Sequence, residues 1–222
     1  MSPPVPATDL FPPSPGACEP LGEQARVLRG FALPALPGLM PALREVVRAA
    51  PFRHLRTPGG RRMSVAMSNC GRLGWVSDAR GYRYDAIDPA SGSPWPAMPP
   101  AFALLAAEAA AAAGFAGFRP DACLVNLYRP GTRLSLHQDR DEPDLRAPIV
   151  SVSLGMSATF LFGGEARGDP TVRVPLHHGD VVVWGGVDRL RHHGVLPLPD
   201  APHPQLGARR INLTFRKAEA GA

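Results

Sequence analysis

Asp121-Ala122-Cys123-Leu124-Val125-Asn126-Leu127-Tyr128, a break at Arg129-Pro130-Gly131, then Leu134-Ser135-Leu136-His137-Gln138-Asp139: two short extended runs divided by a turn set the architecture of this chain. In an extended run, side chains alternate between faces. Leu124, Asn126 and Tyr128 therefore share one face of the first run, and His137 and Asp139 share one face of the second. The same pattern continues downstream. Apolar runs bounded by Gly, Pro or Asp recur at 148–154, 158–162, 171–175, 180–184, 193–198 and 209–216. With 121–128 and 133–139 they make eight short strands, the pattern of a double-sheet jelly roll, or double-stranded β-helix.

Upstream the pattern is mixed. Leu39 to Ala50 reads as a helix stopped by Pro51, and Phe102 to Ala113 as an Ala-rich helix begun after Pro99-Pro100 and closed by Gly114. Met63, Val65 and Met67 alternate with Ser64, Ala66 and Ser68, which predicts a strand over 63–69. The first twenty residues hold seven prolines and neither lysine nor arginine, so they predict disorder and no signal peptide. The expected organisation is a Pro-rich disordered N-terminus (1–22), a region of helices and strands (23–120) and a jelly-roll core (121–217). The fold class is mostly β with flanking helices.

Composition narrows the function. The 222-residue chain has a net charge of +5, which suits an anionic partner such as nucleic acid. An Arg-rich genome produces the same bias without a nucleic-acid role. Three cysteines without Cys-x-x-Cys spacing disfavour a zinc finger or a disulfide framework and point to a reducing compartment. The most apolar stretch, Ala101 to Ala113, is too short to span a membrane and contains Glu108. A cytoplasmic monomer with no membrane partner is expected.

The chemistry begins at His137-x-Asp139. With a distant third ligand from Arg191-His192-His193-Gly194, this is the donor set of a two-His, one-carboxylate triad, which holds Fe(II) and leaves coordination positions open. The third ligand must lie on a strand beside the second run. Alone, His-x-Asp is more often a solvated or hydrogen-bonded pair. The last strand raises its weight. Arg210, Asn212, Thr214 and Arg216 share a face, and guanidinium groups match carboxylates bidentately. Asn126 and Tyr128 add hydrogen-bond donors. Read apart, these strands make a basic edge and a half-buried rim; read together, they imply Fe(II) and an acidic chelating co-substrate.

Asn126-Leu127-Tyr128, then Leu134 to Asp139 with Asp141-Glu142, then His193, then Arg210-x-Asn212-x-x-x-Arg216 closely resemble the AlkB family, the Fe(II)- and 2-oxoglutarate-dependent dioxygenases that repair alkylated bases. The resemblance runs from about Arg26 to Lys217. It includes Thr57-Pro58-Gly59-Gly60, Asn69-Cys70-Gly71-x-Leu73-Gly74-Trp75 and Val181-Val182-Val183-Trp184-Gly185-Gly186. It implies a jelly-roll core with an N-terminal α/β nucleotide-recognition lid. His137, Asp139 and His193 are implied as iron ligands, and Asn126, Leu127, Tyr128, Arg210, Asn212 and Arg216 as the 2-oxoglutarate site. Arg210 is expected on the far carboxylate and Arg216 on the iron-side one. Trp75, Tyr82, Tyr84, Asp141 and Arg167 are the implied substrate contacts. Trp75 and Tyr82 match lid aromatics that grip an extruded base, and Asp141 would favour a cationic methylated base over a neutral one.

The implied reaction consumes O₂ and 2-oxoglutarate, releases succinate, CO₂ and formaldehyde, and restores bases such as 1-methyladenine and 3-methylcytosine. Alkylated single-stranded DNA is the expected partner, with RNA and duplex DNA left open. Arg133 and Arg140 stand where lysine is expected, and Ile211 and His192 where tyrosine is. His192 puts a second imidazole beside His193. Two other readings stay open on residues alone: a jelly-roll oxygenase for a protein or small molecule, and a non-enzymatic nucleic-acid-binding sandwich.

Overall fold

The computed structural model describes residues 16–219. Most of the expected disordered N-terminus, residues 1–15, lies outside them. From Cys18 the expectation fails: strand β1 (Cys18–Pro20) pairs antiparallel with β2 (Ala25–Leu28). Buried Ala25, Val27 and Leu28 hold β2 in place, and β1 completes its edge.

Helix α1 (Leu36–Ala49) starts earlier than its apolar pattern predicts, because Pro37 is tolerated in the first turn. Leu39, Leu43 and Val46 form its buried stripe and outweigh the hydrogen bond lost at Pro41. Strand β3 (Ala66–Gly71) follows, shifted from the predicted 63–69. β4 (Gly74–Asp78) and β5 (Gly81–Asp85) make a separate hairpin, and α2 (Pro100–Ala112) packs beside α1.

All eight predicted jelly-roll strands are present: β6 (Ala122–Tyr128), β7 (Leu134–His137), β8 (Ile149–Gly155), β9 (Ala158–Phe162), β10 (Val172–Leu176), β11 (Val181–Trp184), β12 (His193–Val195) and β13 (Arg210–Arg216). They divide four and four. The larger sheet runs β1-β2-β11-β8-β13-β6-β3, and the smaller runs β10-β9-β12-β7. The division at residue 120 is therefore not a spatial one, since β2 pairs with β11 and β3 with β6. β7 is shorter than predicted because Gln138 leaves the sheet to reach the Leu190 carbonyl. β12 stops before Pro197, which has no N–H for a ladder.

Two apolar layers follow from strand alternation. One face of the larger sheet (Val125, Val150, Leu213, Phe215) packs on α1 and α2 through Leu39, Leu43, Phe102 and Leu105. The other face (Val27, Leu124, Tyr128, Trp184) meets Phe160 and Phe162 of the smaller sheet. Met63, Val65 and Met67, whose alternation was legible, belong to this inter-sheet layer. Among the described residues, no helix is long and apolar enough to cross a membrane.

Candidate active site

A cavity of about 750 Å³ opens between the two sheets. β7 and β12 run antiparallel with His137 directly opposite His193, so the third predicted ligand comes from the neighbouring strand as the spacing required. Gly194 permits the approach, because a Cβ there would lie 2.7 Å from the Leu134 carbonyl oxygen. Asp139, two residues past His137, keeps its parity and turns into the cavity. One ligand atom each from His137, Asp139 and His193 fall within 4.8 Å of one another. His192, just before β12 begins, is outside this group. Its ring lines the cavity, and its buried Nδ1 has no hydrogen-bond partner.

The imidazoles are oriented for ligation. His137 Nδ1 is 2.9 Å from the Ser135 carbonyl and His193 Nδ1 is 3.0 Å from that of Arg191. A carbonyl can only accept, so each Nδ1 carries the proton and each Nε2 presents its lone pair. The Nε2 atoms stand 3.6 and 3.7 Å from the Asp139 oxygens. Two neutral nitrogens and one carboxylate fit Fe(II). Burial and the adjacent His193 push His137 down to about 4. Its folded pKa thus lies below the unfolded value of about 6.5. The metal-free protein is expected to hold its full stability above that value and to lose it as pH falls toward 4. Chemical denaturation across this window checks it; a midpoint independent of pH would contradict the half-buried neutral imidazole.

The two arginines of β13 part company. Arg216 was expected on the co-substrate. Instead its Nε and Nη2 lie 3.0 and 2.5 Å from Asp139 Oδ2, and Nε lies 3.3 Å from Glu142 Oε1. Burial opposes its charge, but Asp139, Tyr84 and Glu142 hold its pKa above the ordinary value. Burial likewise penalises the Asp139 carboxylate, yet Arg216 keeps it well below the usual range. Arg210 is 1% exposed, donates through Nη2 to Ser153 Oγ (2.9 Å), and leaves Nε and Nη1 buried with no partner. Its guanidinium lies 4.9 Å from the centre of the Tyr128 ring. Burial lowers its pKa. Unpaired buried donors of this kind fit a carboxylate ligand, and 2-oxoglutarate supplies one.

Asn212 donates to Ser151 Oγ (2.8 Å), and Asn126 Oδ1 is buried and unpartnered beside it. Leu127, expected in this site, points to the helix side of the sheet, since it alternates with Asn126 and Tyr128. Ser151, Ser153 and Arg189 were missed by sequence reading, and Glu142 was read only as part of the Asp141-Glu142 motif; alternation along β8 is the signal that could have found the serines.

The hairpin of β4 and β5 covers the cavity mouth. Trp75 and Tyr82 stack with ring centres 5.6 Å apart and planes 13° apart. The Trp75 indole N–H donates to Asp141 Oδ2 at 2.9 Å. Trp75, Tyr82, Asp141 and Arg167 all line the cavity, as expected. Tyr84 does not; its hydroxyl donates to Glu142 Oε1 at 2.5 Å. Arg61, Arg62, Arg133, Arg140 and Arg167 stand on the cavity wall, and none has an acidic partner among the described residues.

Residues 24–216 match the profile of the 2OG-Fe(II) oxygenase superfamily. The chain is 56% identical over 210 residues to the alpha-ketoglutarate-dependent dioxygenase AlkB of Salmonella typhimurium, covering 95% of this chain and 97% of that one. It is 38% identical over 138 residues to the mouse nucleic acid dioxygenase ALKBH1, covering 60% of this chain and 35% of that one. The solved structure of OsALKBH1 superposes with a TM-score of 0.78 at 28% identity, covering 90% of this chain and all of that one. By its sequence relatives, its fold and its cavity, the chain belongs to the AlkB family of 2-oxoglutarate- and Fe(II)-dependent oxygenases.

Proposed function

We propose that this protein removes N-alkyl groups from nucleic acid bases, acting on 1-methyladenine and 3-methylcytosine in single-stranded DNA as a cytoplasmic monomer. One observation carries the reading: the His137–Asp139–His193 cluster and the unpaired Arg210 guanidinium share a cavity with the Trp75–Tyr82 stack and Asp141. That is a place for iron, a place for a dicarboxylate and a place for a flat cation, in one enclosure.

His137, Asp139 and His193 hold Fe(II), while Arg210, Asn212, Asn126 and Tyr128 hold 2-oxoglutarate. When bound, these supply an O₂-dependent oxidation that hydroxylates the N-methyl carbon, lost as formaldehyde, and converts the co-substrate to succinate and CO₂. Trp75, backed by the stacked Tyr82 ring, presents a flat face to the extruded base. Asp141 presents its carboxylate to the base; a methylated cation gains from it and a neutral base does not. The arginines around the mouth take the flanking phosphates. Removing hydrogen from the methyl carbon requires no side-chain base, and none is assigned.

Anaerobic reconstitution with Fe(II) and 2-oxoglutarate, then addition of air and a 1-methyladenine oligonucleotide, tests the reading by mass spectrometry. The unmethylated oligonucleotide should appear with stoichiometric succinate. Succinate release indifferent to the methylated strand would instead point to another substrate.

Affinity for the oligonucleotide should fall as salt rises, because the mouth arginines displace counterions from phosphates. Trp75→Ala should weaken binding of the methylated strand by about 1–3 kcal/mol, the usual loss of a stacking partner. Fluorescence anisotropy across a salt series measures both; equal losses for methylated and unmethylated strands would show that Trp75 does not hold the lesion.

A further inference from the structure

Two residues of the β4–β5 hairpin reach the loop that carries Asp139. Trp75 donates to Asp141, and Tyr84 donates to Glu142, the next residue along. Glu142 is a buried acid, its side chain 2% exposed. Its two oxygens serve two guanidiniums. Oε1 lies 3.3 Å from Arg216 Nε, and Oε2 lies 2.9 Å from Arg189 Nη2. Arg216 then binds the Asp139 carboxylate, and Arg189 Nη1 donates to the Asp139 backbone carbonyl at 2.5 Å. Both the side chain and the main chain of Asp139 are therefore tied to Glu142, and Tyr84 joins Glu142 to the hairpin.

The charges in this cluster balance, two acids against two guanidiniums. A buried network of this kind is rigid when every member is satisfied and costly when one is lost. With the hairpin in place, Glu142 Oε1 accepts from both Tyr84 and Arg216. With the hairpin lifted, it would keep Arg216 alone. Displacing the hairpin would break the Tyr84–Glu142 hydrogen bond, so hairpin position and Asp139 geometry are linked, and the linkage is reciprocal.

We propose that Tyr84 is a positioning residue that transmits closure of the substrate lid to the iron site, through Glu142 and Arg216 to Asp139. The inference rests on the nucleic-acid reading above, in which Trp75 on the same hairpin holds the lesion and so fixes the hairpin against the Asp141-Glu142 loop. It assigns Tyr84 no contact with the base, in keeping with its absence from the cavity wall.

Tyr84→Phe keeps the ring and removes only the donor. The test is the charge-transfer absorption of the anaerobic Fe(II)–2-oxoglutarate complex, recorded with and without a saturating 1-methyladenine oligonucleotide. In the native protein the oligonucleotide should shift the band. In Tyr84→Phe the shift should shrink by about five- to tenfold, in the range of ordinary coupling between sites. The stimulation of 2-oxoglutarate consumption by the oligonucleotide should shrink in parallel, while the KM for 2-oxoglutarate stays within about twofold, because no group touching it has been removed. Glu142→Gln, which keeps the shape but weakens the link to both arginines, should abolish the shift as well. A full native shift in Tyr84→Phe at saturation overturns the proposal, even if the variant melts earlier, because the role is then merely structural. A native protein whose band ignores the oligonucleotide overturns the coupling, and demethylation of the same oligonucleotide on admitting air decides separately whether the nucleic-acid reading stands.

Discussion

Replacing His137, Asp139 or His193 with alanine is expected to lower turnover by about three orders of magnitude or more, since a bound metal contributes several kcal/mol to the barrier reduction and each 1.4 kcal/mol is tenfold. The three ligand atoms are within 4.8 Å of one another, and no other described Cys, His, Asp or Glu joins the group. A facial triad has no spare donor. His192→Ala is the control. His192 sits one residue from His193 and lines the same cavity, but it contributes no ligand atom to the cluster. It should keep most of the iron affinity. Equilibrium binding of Fe(II) under anaerobic conditions, alongside formaldehyde release, separates the two imidazoles. Loss of iron in His192→Ala with retention in His193→Ala would reverse the ligand assignment. Circular dichroism guards against misfolding, which is a concern chiefly for Asp139→Ala: that change strips Arg216 of its nearest partner.

Period-two alternation made the core legible. Once residues 121–139 read as two strands, parity alone put His137 with Asp139, Asn126 with Tyr128, and Arg210 with Asn212 and Arg216, and the structure keeps each of these pairings. Parity also showed that Leu127 belongs to the opposite face; the family resemblance drew it into the site regardless. What remained illegible depends on contacts between distant segments. Nothing local distinguishes Arg216, which neutralises Asp139, from Arg210, which is left unpaired, because the difference lies in a carboxylate 77 positions away. Tyr84 reads like Tyr82, two residues along the same strand. Alternation would place them on one face, but the hairpin's twist and the reach of Glu142 send their rings to different neighbours. Arg189 carried no signal at all, although it braces the backbone of Asp139. At the N-terminus, proline content suggested disorder through residue 22, whereas an exposed strand edge on β2 recruits Cys18 to Pro20.

The two arginines of β13 should fail in different ways. They stand six residues apart, roughly 20 Å along a strand at ~3.3 Å per residue, so they cannot grip one small anion from directly above it. Arg210 holds two buried donors with no partner in the protein. Arg210→Ala should raise the KM for 2-oxoglutarate by about 30-fold to several thousandfold, matching the 2–5 kcal/mol lost when one side of a buried charged pair is removed. Excess co-substrate should recover part of the rate. Arg210→Lys should rescue only partly, because an ammonium cannot make the bidentate pair. Arg216→Ala removes instead the cation shared by Asp139 and Glu142. Two buried acids then face each other with Arg189 alone, and stability should fall by about 3–5 kcal/mol, as for other broken buried pairs. Iron affinity should fall too, since Asp139 loses its anchor, and added 2-oxoglutarate should not restore it. Kinetics in 2-oxoglutarate and denaturant unfolding of both variants decide the matter. An Arg216→Ala protein of native stability with a raised KM would move that arginine back to the co-substrate, and an unchanged KM in Arg210→Ala would remove β13 from the co-substrate site altogether.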